Sequence, residues 1–182
     1  MGLTLLDLVA NFGLEDSAAL QVEFGFADLD DVATFPALPD ISTQTTNAQT
    51  VDLAAAVLVF KPGKCFKKFR GSLEANSFDS TLEGPNGAKS FVNKLMIARN
   101  QVNKELIGYV RSNRNRQLIV AFKPLAGGQY ILLGWEGIPA EIVGGGFKIA
   151  PEVSGETKTN LEIRSIYLPP LYINTISFTP AV

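Results

Sequence analysis

The chain contains no histidine and one cysteine, Cys65. Those two facts exclude Ser-His-Asp and Cys-His catalysis, His-ligated zinc and haem, an imidazole pH switch, CxxC redox chemistry and multi-cysteine metal sites. Few groupings that could do chemistry remain. Cys65 stands among Lys64, Lys67 and Lys68, where neighbouring cations would make a thiol reactive, although a partly buried structural cysteine in a strand is the commoner case. Gly144-Gly145-Gly146 could present backbone N–H groups to a phosphate. No GxxxxGK[ST] pattern accompanies them, so they read as a flexible loop or a bulge. Asp28, Asp30 and Asp31 lack the alternation, central glycine and closing glutamate of an EF-hand loop, and read as an exposed acidic turn. Carboxylate pairs for glycoside hydrolysis need not be near in sequence, and no pair stands out. Residues 61–70 interleave five bases with Phe66 and Phe69. With Arg111, Arg114 and Arg116 they could meet phosphates and stack on bases, but a pI near 5.2 is unlike that of a dedicated DNA-binding domain. The expectation is a protein that is not an enzyme and holds no cofactor or metal.

Charge is distributed unevenly along the 182 residues. Residues 1–60 carry nine acids and no base, and residues 61–116 carry twelve bases against four acids. Such asymmetry suggests that complementary regions meet, either within the fold or between copies of the chain; the alternative is that the segments simply contribute differently charged solvated faces. Hydrophobic residues make up 46% of the chain, which is enough for a core and excludes disorder as the dominant state. The longest apolar run, 53–60, is far too short to span a membrane. No basic residue precedes Lys61, and position 6 is Leu6 where a myristoylation signal carries Ser/Thr. The expected setting is a cytoplasm, or a particle assembled there.

The elements that would position these residues are mostly strands. Residues 3–12 suit a short helix or a strand. Residues 37–50, with few apolar side chains, read as an extended loop or arm. A buried strand is expected over 51–60, followed by a turn at 61–64 and short alternating stretches over 65–83. Gly84-Pro85-Asn86-Gly87 is a turn signal, and 90–98 alternates as a strand. Val102, Leu106, Tyr109 and Val110 fall at helical spacing, so one helix is expected over 100–113 with Asn100 as its N-cap. Strands follow at 117–123 and 129–133, then an irregular loop over 134–146. A hairpin pairs 147–154 with 157–167 about a Gly155-Glu156 turn, and 171–178 would add a last edge strand. The expected division is an acidic segment over 1–50 and a β domain over 51–182. The expected fold class is mainly β: a β-sandwich or open barrel with one packed α-helix.

Asn113-Arg114-Asn115-Arg116-Gln117-Leu118-Ile119-Val120-Ala121-Phe122, followed by Gly128-Gln129-Tyr130-Ile131-Leu132-Leu133-Gly134, resembles a pattern in tail structural proteins of tailed bacteriophages, particularly those of the Bacteroidetes group. There a helix leads into a hydrophobic strand, a turn and a second strand, and an irregular loop and final hairpin follow. Phe26-Ala27-Asp28-Leu29-Asp30-Asp31-Val32-Ala33-Thr34-Phe35-Pro36 resembles their N-terminal part. The likeness spans 26–36 and 65–170. It departs at Leu168-Pro169-Pro170-Leu171, where such proteins often carry a strand rich in Gly and Thr.

The resemblance implies a tail-tube-like fold, with copies joining their sheets into hexameric rings that stack into a tube. Phage DNA would pass through the lumen without sequence-specific binding. The implied partners are further copies and other tail or connector proteins, with no membrane, and the implied location is the virion tail. Candidate contacts between subunits are Asp40, Thr43 and Thr46 in the loop, Lys64, Lys67, Lys68 and Arg70 in the basic stretch, and Arg111, Arg114 and Arg116 at the end of the helix. A head–tail adaptor, tail terminator or capsid decoration protein is an alternative of the same class. A monomeric carbohydrate- or protein-binding sandwich would need an exposed aromatic platform, for which Trp135 and Tyr130 are the candidates. A DNA-binding accessory protein would use the basic middle segment.

Overall fold

The computed structural model of the chain describes residues 20–53, 57–73, 75–125, 127–149 and 157–180. Expectations for residues 3–12 and for the Gly155-Glu156 turn lie outside them. The described chain is mainly β with a single α-helix. Twelve strands run in order: β1 Glu23–Asp28, β2 Val32–Thr34, β3 Asp52–Leu53, β4 Val59–Phe60, β5 Lys67–Arg70, β6 Ser77–Glu83, β7 Ser90–Arg99, β8 Leu118–Phe122, β9 Tyr130–Leu133, β10 Glu141–Lys148, β11 Lys158–Ile166 and β12 Leu171–Tyr172. The helix α1, Lys104–Asn113, lies between β7 and β8.

Two sheets form a sandwich. One has six strands in the order β3-β12-β9-β8-β1-β5, the other four in the order β10-β11-β7-β6, and β2 and β4 pair separately. The core between the sheets takes Phe24, Phe26, Val120 and Phe122 from the first and Leu95, Ile97, Leu161 and Ile163 from the second, with Leu106 of α1 closing one side. A second core covers the far face of the six-stranded sheet, where Ile119, Ala121 and Leu132 meet Phe66, Trp135 and the β2–β4 pair. Leu118–Phe122 is therefore buried at every residue, as a continuous apolar run requires of a strand covered on both faces. Gly134, which follows β9, has φ +89°, and a Cβ there would stand 2.3 Å from the Leu118 carbonyl oxygen, so only glycine fits this corner.

Several boundaries differ from the sequence expectation, each for a tertiary reason. Asn103, not Asn100, caps α1: its side chain accepts from the Leu106 N–H at 2.9 Å. Asn100 instead donates its N–H to Ser72 Oγ at 2.9 Å, and the Gln101 carbonyl accepts from Thr159 Oγ1 at 2.7 Å, which ties 100–101 to neighbouring segments and keeps them out of the helix. The strand expected over 51–60 is two short strands in different sheets, β3 and β4. The loop expected over 134–146 is only a turn about Trp135–Ile138, and from Glu141 the chain pairs with β11, carrying all three glycines into β10. A register shift between Ile142 and Gly144 makes the bulge. The final strand is two residues long and interior, between β9 and β3, because Ile176 and Phe178 beyond it turn onto the second core. The division expected at residue 50 does not coincide with a break in the sheets: β1 sits between β5 and β8.

Candidate functional site

The complementary charges of the sequence meet inside the fold. Arg116 at the foot of α1 pairs with Asp28 at the end of β1. Lys64 Nζ lies 2.9 Å from Asp31, and Lys68 Nζ lies 3.1 Å from Glu23 across the β1–β5 register. Lys61 Nζ donates to the Asp30 carbonyl. The Asp31 hydrogen bond and charge raise the Lys64 pKa above its ordinary value. Asp28, Asp31, Lys64, Arg116, Tyr109 and Asn113 line a cleft of about 250 Å³. Asp28 and Asp31 are neutralised by Arg116 and Lys64, and Lys67, which also lines the cleft with its Nζ 3.6 Å from Cys65 Sγ, adds one further positive charge. Burial pushes the Tyr109 phenol up to about 12.

The remaining contact candidates are separated. Asp40, Thr43 and Thr46 lie in a loop that is folded on itself and is not an extended arm. Asp40 Oδ1 accepts from the Ser42 N–H at 2.9 Å, which lowers the Asp40 pKa, and Thr43 donates through both N–H and Oγ1 to the Asp40 carbonyl. Thr46 and Thr45 donate their N–H groups to Gln49 Oε1. Lys67, Lys68 and Arg70 point outward from β5, whereas Phe66 and Phe69 are buried, so this segment presents charge without a stacking surface. Arg70, Arg111 and Arg114 are exposed and make no ion pair among the described residues.

The chemical groupings of the sequence are accounted for structurally. Cys65 is 3% exposed; its Sγ donates to the Phe178 carbonyl at 3.5 Å, with Lys67 Nζ at 3.6 Å. Among the described residues no set of three or more His, Cys, Asp or Glu is placed to hold a metal ion. No helix among them is long and apolar enough to cross a membrane. Trp135 is buried against Phe35, with ring centroids 5.2 Å apart, and is not an exposed platform.

What the sequence reading misses is the four-stranded sheet as a surface. Its strands alternate: Leu95, Ile97, Leu161 and Ile163 face the core, while Lys94, Arg164 and Ile166 face away and are exposed. The register sets Asp79, Lys94, Arg164 and Glu141 in one row across all four strands on the bare face, and Lys94 bonds Glu162 at 3.0 Å. The outer strands are long and, among the described residues, have no further strand beside them. β6 is exposed at six of its seven residues, and β10 carries Val143 at 51% exposure. The three glycines hide β10 because they read as a loop; the β-branched Ile142-Val143 ahead of them is the signal that marks a strand.

Comparison of the chain with protein-family models, with curated proteins and with solved structures gives no match.

Proposed function

We propose that this chain is a virion structural protein that self-assembles, most specifically a tail tube subunit whose rings stack into a conduit for phage DNA. The observation that carries the reading is the four-stranded antiparallel sheet, which among the described residues has one exposed face and two long edge strands with no further strand beside them. An open edge presents unpaired N–H and C=O groups that another strand can satisfy. β6 and β10 are antiparallel to each other, because three successive antiparallel pairings separate them. A second copy can thus set its β10 against β6 in the antiparallel sense, and the operation repeats head to tail until a ring closes. The resemblance in sequence favours six copies.

In such a ring the bare face would line the lumen. Asp79, Glu141 and Glu162 accompany Lys94 and Arg164 there, so the face offers phosphates no continuous basic track. Other tail or connector proteins would meet the ends of the stack. Asp40 to Thr46 and the exposed Arg70, Arg111 and Arg114 remain the proposed contacts outside the barrel.

Negative-stain electron microscopy across a concentration and salt series tests the reading. Tubes or stacked rings with a central hole are expected. Single rings would favour the adaptor or terminator alternative, and monomers at every concentration would count against self-assembly. Val143→Lys places a charge on the β10 edge and should abolish ring formation while leaving the monomer folded.

A further inference from the structure

Ser72 ties the two sheets together where β5 and β7 end. Its N–H donates to the Ala98 carbonyl at 2.7 Å, and its Oγ accepts from the Asn100 N–H at 2.9 Å. Asn76 braces the same crossing: its Nδ2 donates to the Ser72 carbonyl at 2.8 Å, and its Oδ1 accepts from the Ala98 N–H at 3.1 Å. A Cβ on Gly71 would stand 2.6 Å from Asn76 Oδ1 and 3.0 Å from Ile97 Cγ2, so glycine is what lets the segments approach this closely. The crossing brings Arg70, the last residue of β5, and Arg99, the last residue of β7, to one cleft between β5 and the first turn of α1. The cleft measures about 180 Å³, and Lys68, Glu105 and the buried Phe69 and Leu106 also line it.

The charges of this cleft do not cancel. Lys68 is paired with Glu23. Arg70 and Arg99 make no ion pair among the described residues, and Glu105, the one acid in this lining, is not within ion-pair distance of either. Two guanidinium groups at one cleft repel each other, and an apolar wall weakens the screening between them. Four hydrogen bonds nevertheless fix the segments that carry them. We infer that this cleft binds a terminal phosphate, as inorganic phosphate or a phosphomonoester, through Arg70 and Arg99. The class of anion follows from the donors. One guanidinium fork already satisfies the two oxygens of a carboxylate, whereas a terminal phosphate has oxygens for two forks. A phosphodiester has only two free oxygens and matches one fork, as a carboxylate does. Pockets that enclose a drug-sized ligand hold about 300–1,000 Å³. This cleft is smaller, so it takes the phosphate group and leaves the rest of a phosphomonoester in solvent. The inference uses no residue of β6 or β10 and stands apart from the self-assembly reading.

Isothermal titration of inorganic phosphate into the full chain tests it. Ionic strength is held constant, and the protein is kept at concentrations where it is monomeric, because Arg70 is also a proposed subunit contact. Saturable binding at one site per chain is expected. Arg70→Gln, and Arg99→Lys, which keeps the charge and loses the fork, should each weaken it about tenfold. Lys89→Gln removes the same charge just before the start of β7 and should leave the affinity unchanged. Urea midpoints check that the variants are folded; Arg70 is exposed on an edge strand, so its variant carries the test even if Arg99→Lys is destabilised. No saturation with the original chain would overturn the inference, and so would equal losses in Lys89→Gln and Arg70→Gln, which mean diffuse surface charge. An oligonucleotide with a terminal phosphate should bind more tightly than the same oligonucleotide without one. Equal binding of the two would assign the cleft to the phosphodiester backbone, and displacement of phosphate by equimolar acetate would assign it to a carboxylate; either result overturns the inference.

Discussion

The two sheets of this molecule solve the same problem differently. The six-stranded sheet is covered on both faces, and its outer strands are blunted: β3 is two residues long, and β5 turns Lys67, Lys68 and Arg70 outward. Short and charged edges are the usual protection against unwanted pairing. The four-stranded sheet buries one face, and its edge strands are seven and eight residues long. β10 bears no protecting charge between Ile142 and Phe147, only Val143 and three glycines. On the proposed function, the second sheet is the one that would meet a neighbouring copy.

The sharpest way to break this contrast is to delete volume in each sheet. Phe122 in β8 is fully buried and packs on Phe78 at 5.0 Å and Phe24 at 6.3 Å. Phe122→Ala should destabilise the monomer by about 3–5 kcal/mol. Lys94→Ala on the bare face should change it by less than about 1 kcal/mol. Urea unfolding of both variants checks this; similar losses would mean that the bare face is covered in solution.

Between these extremes lies the polar network within the four-stranded sheet. Asn93→Ala removes the partner of the buried Ser165 hydroxyl and of the part-buried Tyr167 carbonyl, and frees the Ser80 hydroxyl at the surface. It should cost about 1–3 kcal/mol in the same assay. Asn93→Asp adds a buried charge and should be worse.

The parts of this fold legible from sequence are those whose local signals agree with their tertiary setting. Ser90–Arg99 alternates because one face meets the core, and Leu118–Phe122 is uniformly apolar because both faces do. The helix is legible from Leu106, Tyr109 and Val110, but its start is not. Asn100 and Asn103 are equal as caps until Ser72 and Thr159, distant in sequence, hold Asn100 and Gln101 outside the helix. The triglycine strand is illegible for the same reason: its strand character comes from pairing with β11, which overrides weak propensity. For the site, the sequence suggests that acidic and basic regions meet. It cannot say that Asp28, Asp31 and Glu23 meet Arg116, Lys64 and Lys68 within one chain, because those partners are joined only when β1 enters between β5 and β8.

Alkaline pH probes the cleft where these charges meet. Tyr109 titrates at about 12 instead of 10.0, chiefly because burial disfavours the phenolate. The folded state keeps a proton that the unfolded state releases, so stability is level below pH 10 and falls between pH 10 and about 12. Lys64, raised from 10.5 by Asp31, adds in the same direction, since its pairing is lost as pH rises. Phenolate absorbance should show a step near pH 12 that Tyr109→Phe removes.

The smallest effect expected is also the one that separates the two uses of the basic residues. The Asp28 and Arg116 side chains are 30% and 50% exposed, so their pairing is screened by water. A double-mutant cycle with Asp28→Asn and Arg116→Gln should give about 0.2–1 kcal/mol of coupling, shrinking as salt rises. The same two variants, assayed for assembly, should leave its threshold unchanged, because Arg116 is engaged within its own chain. Arg111 and Arg114, exposed and without an ion pair among the described residues, are the controls: their replacement should leave monomer stability within about 0.5 kcal/mol. If Arg116→Gln raised the assembly threshold while its coupling to Asp28 was nil, the charge asymmetry of the sequence would be serving a neighbouring copy. In that event the guarded six-stranded sheet would also belong to the interface.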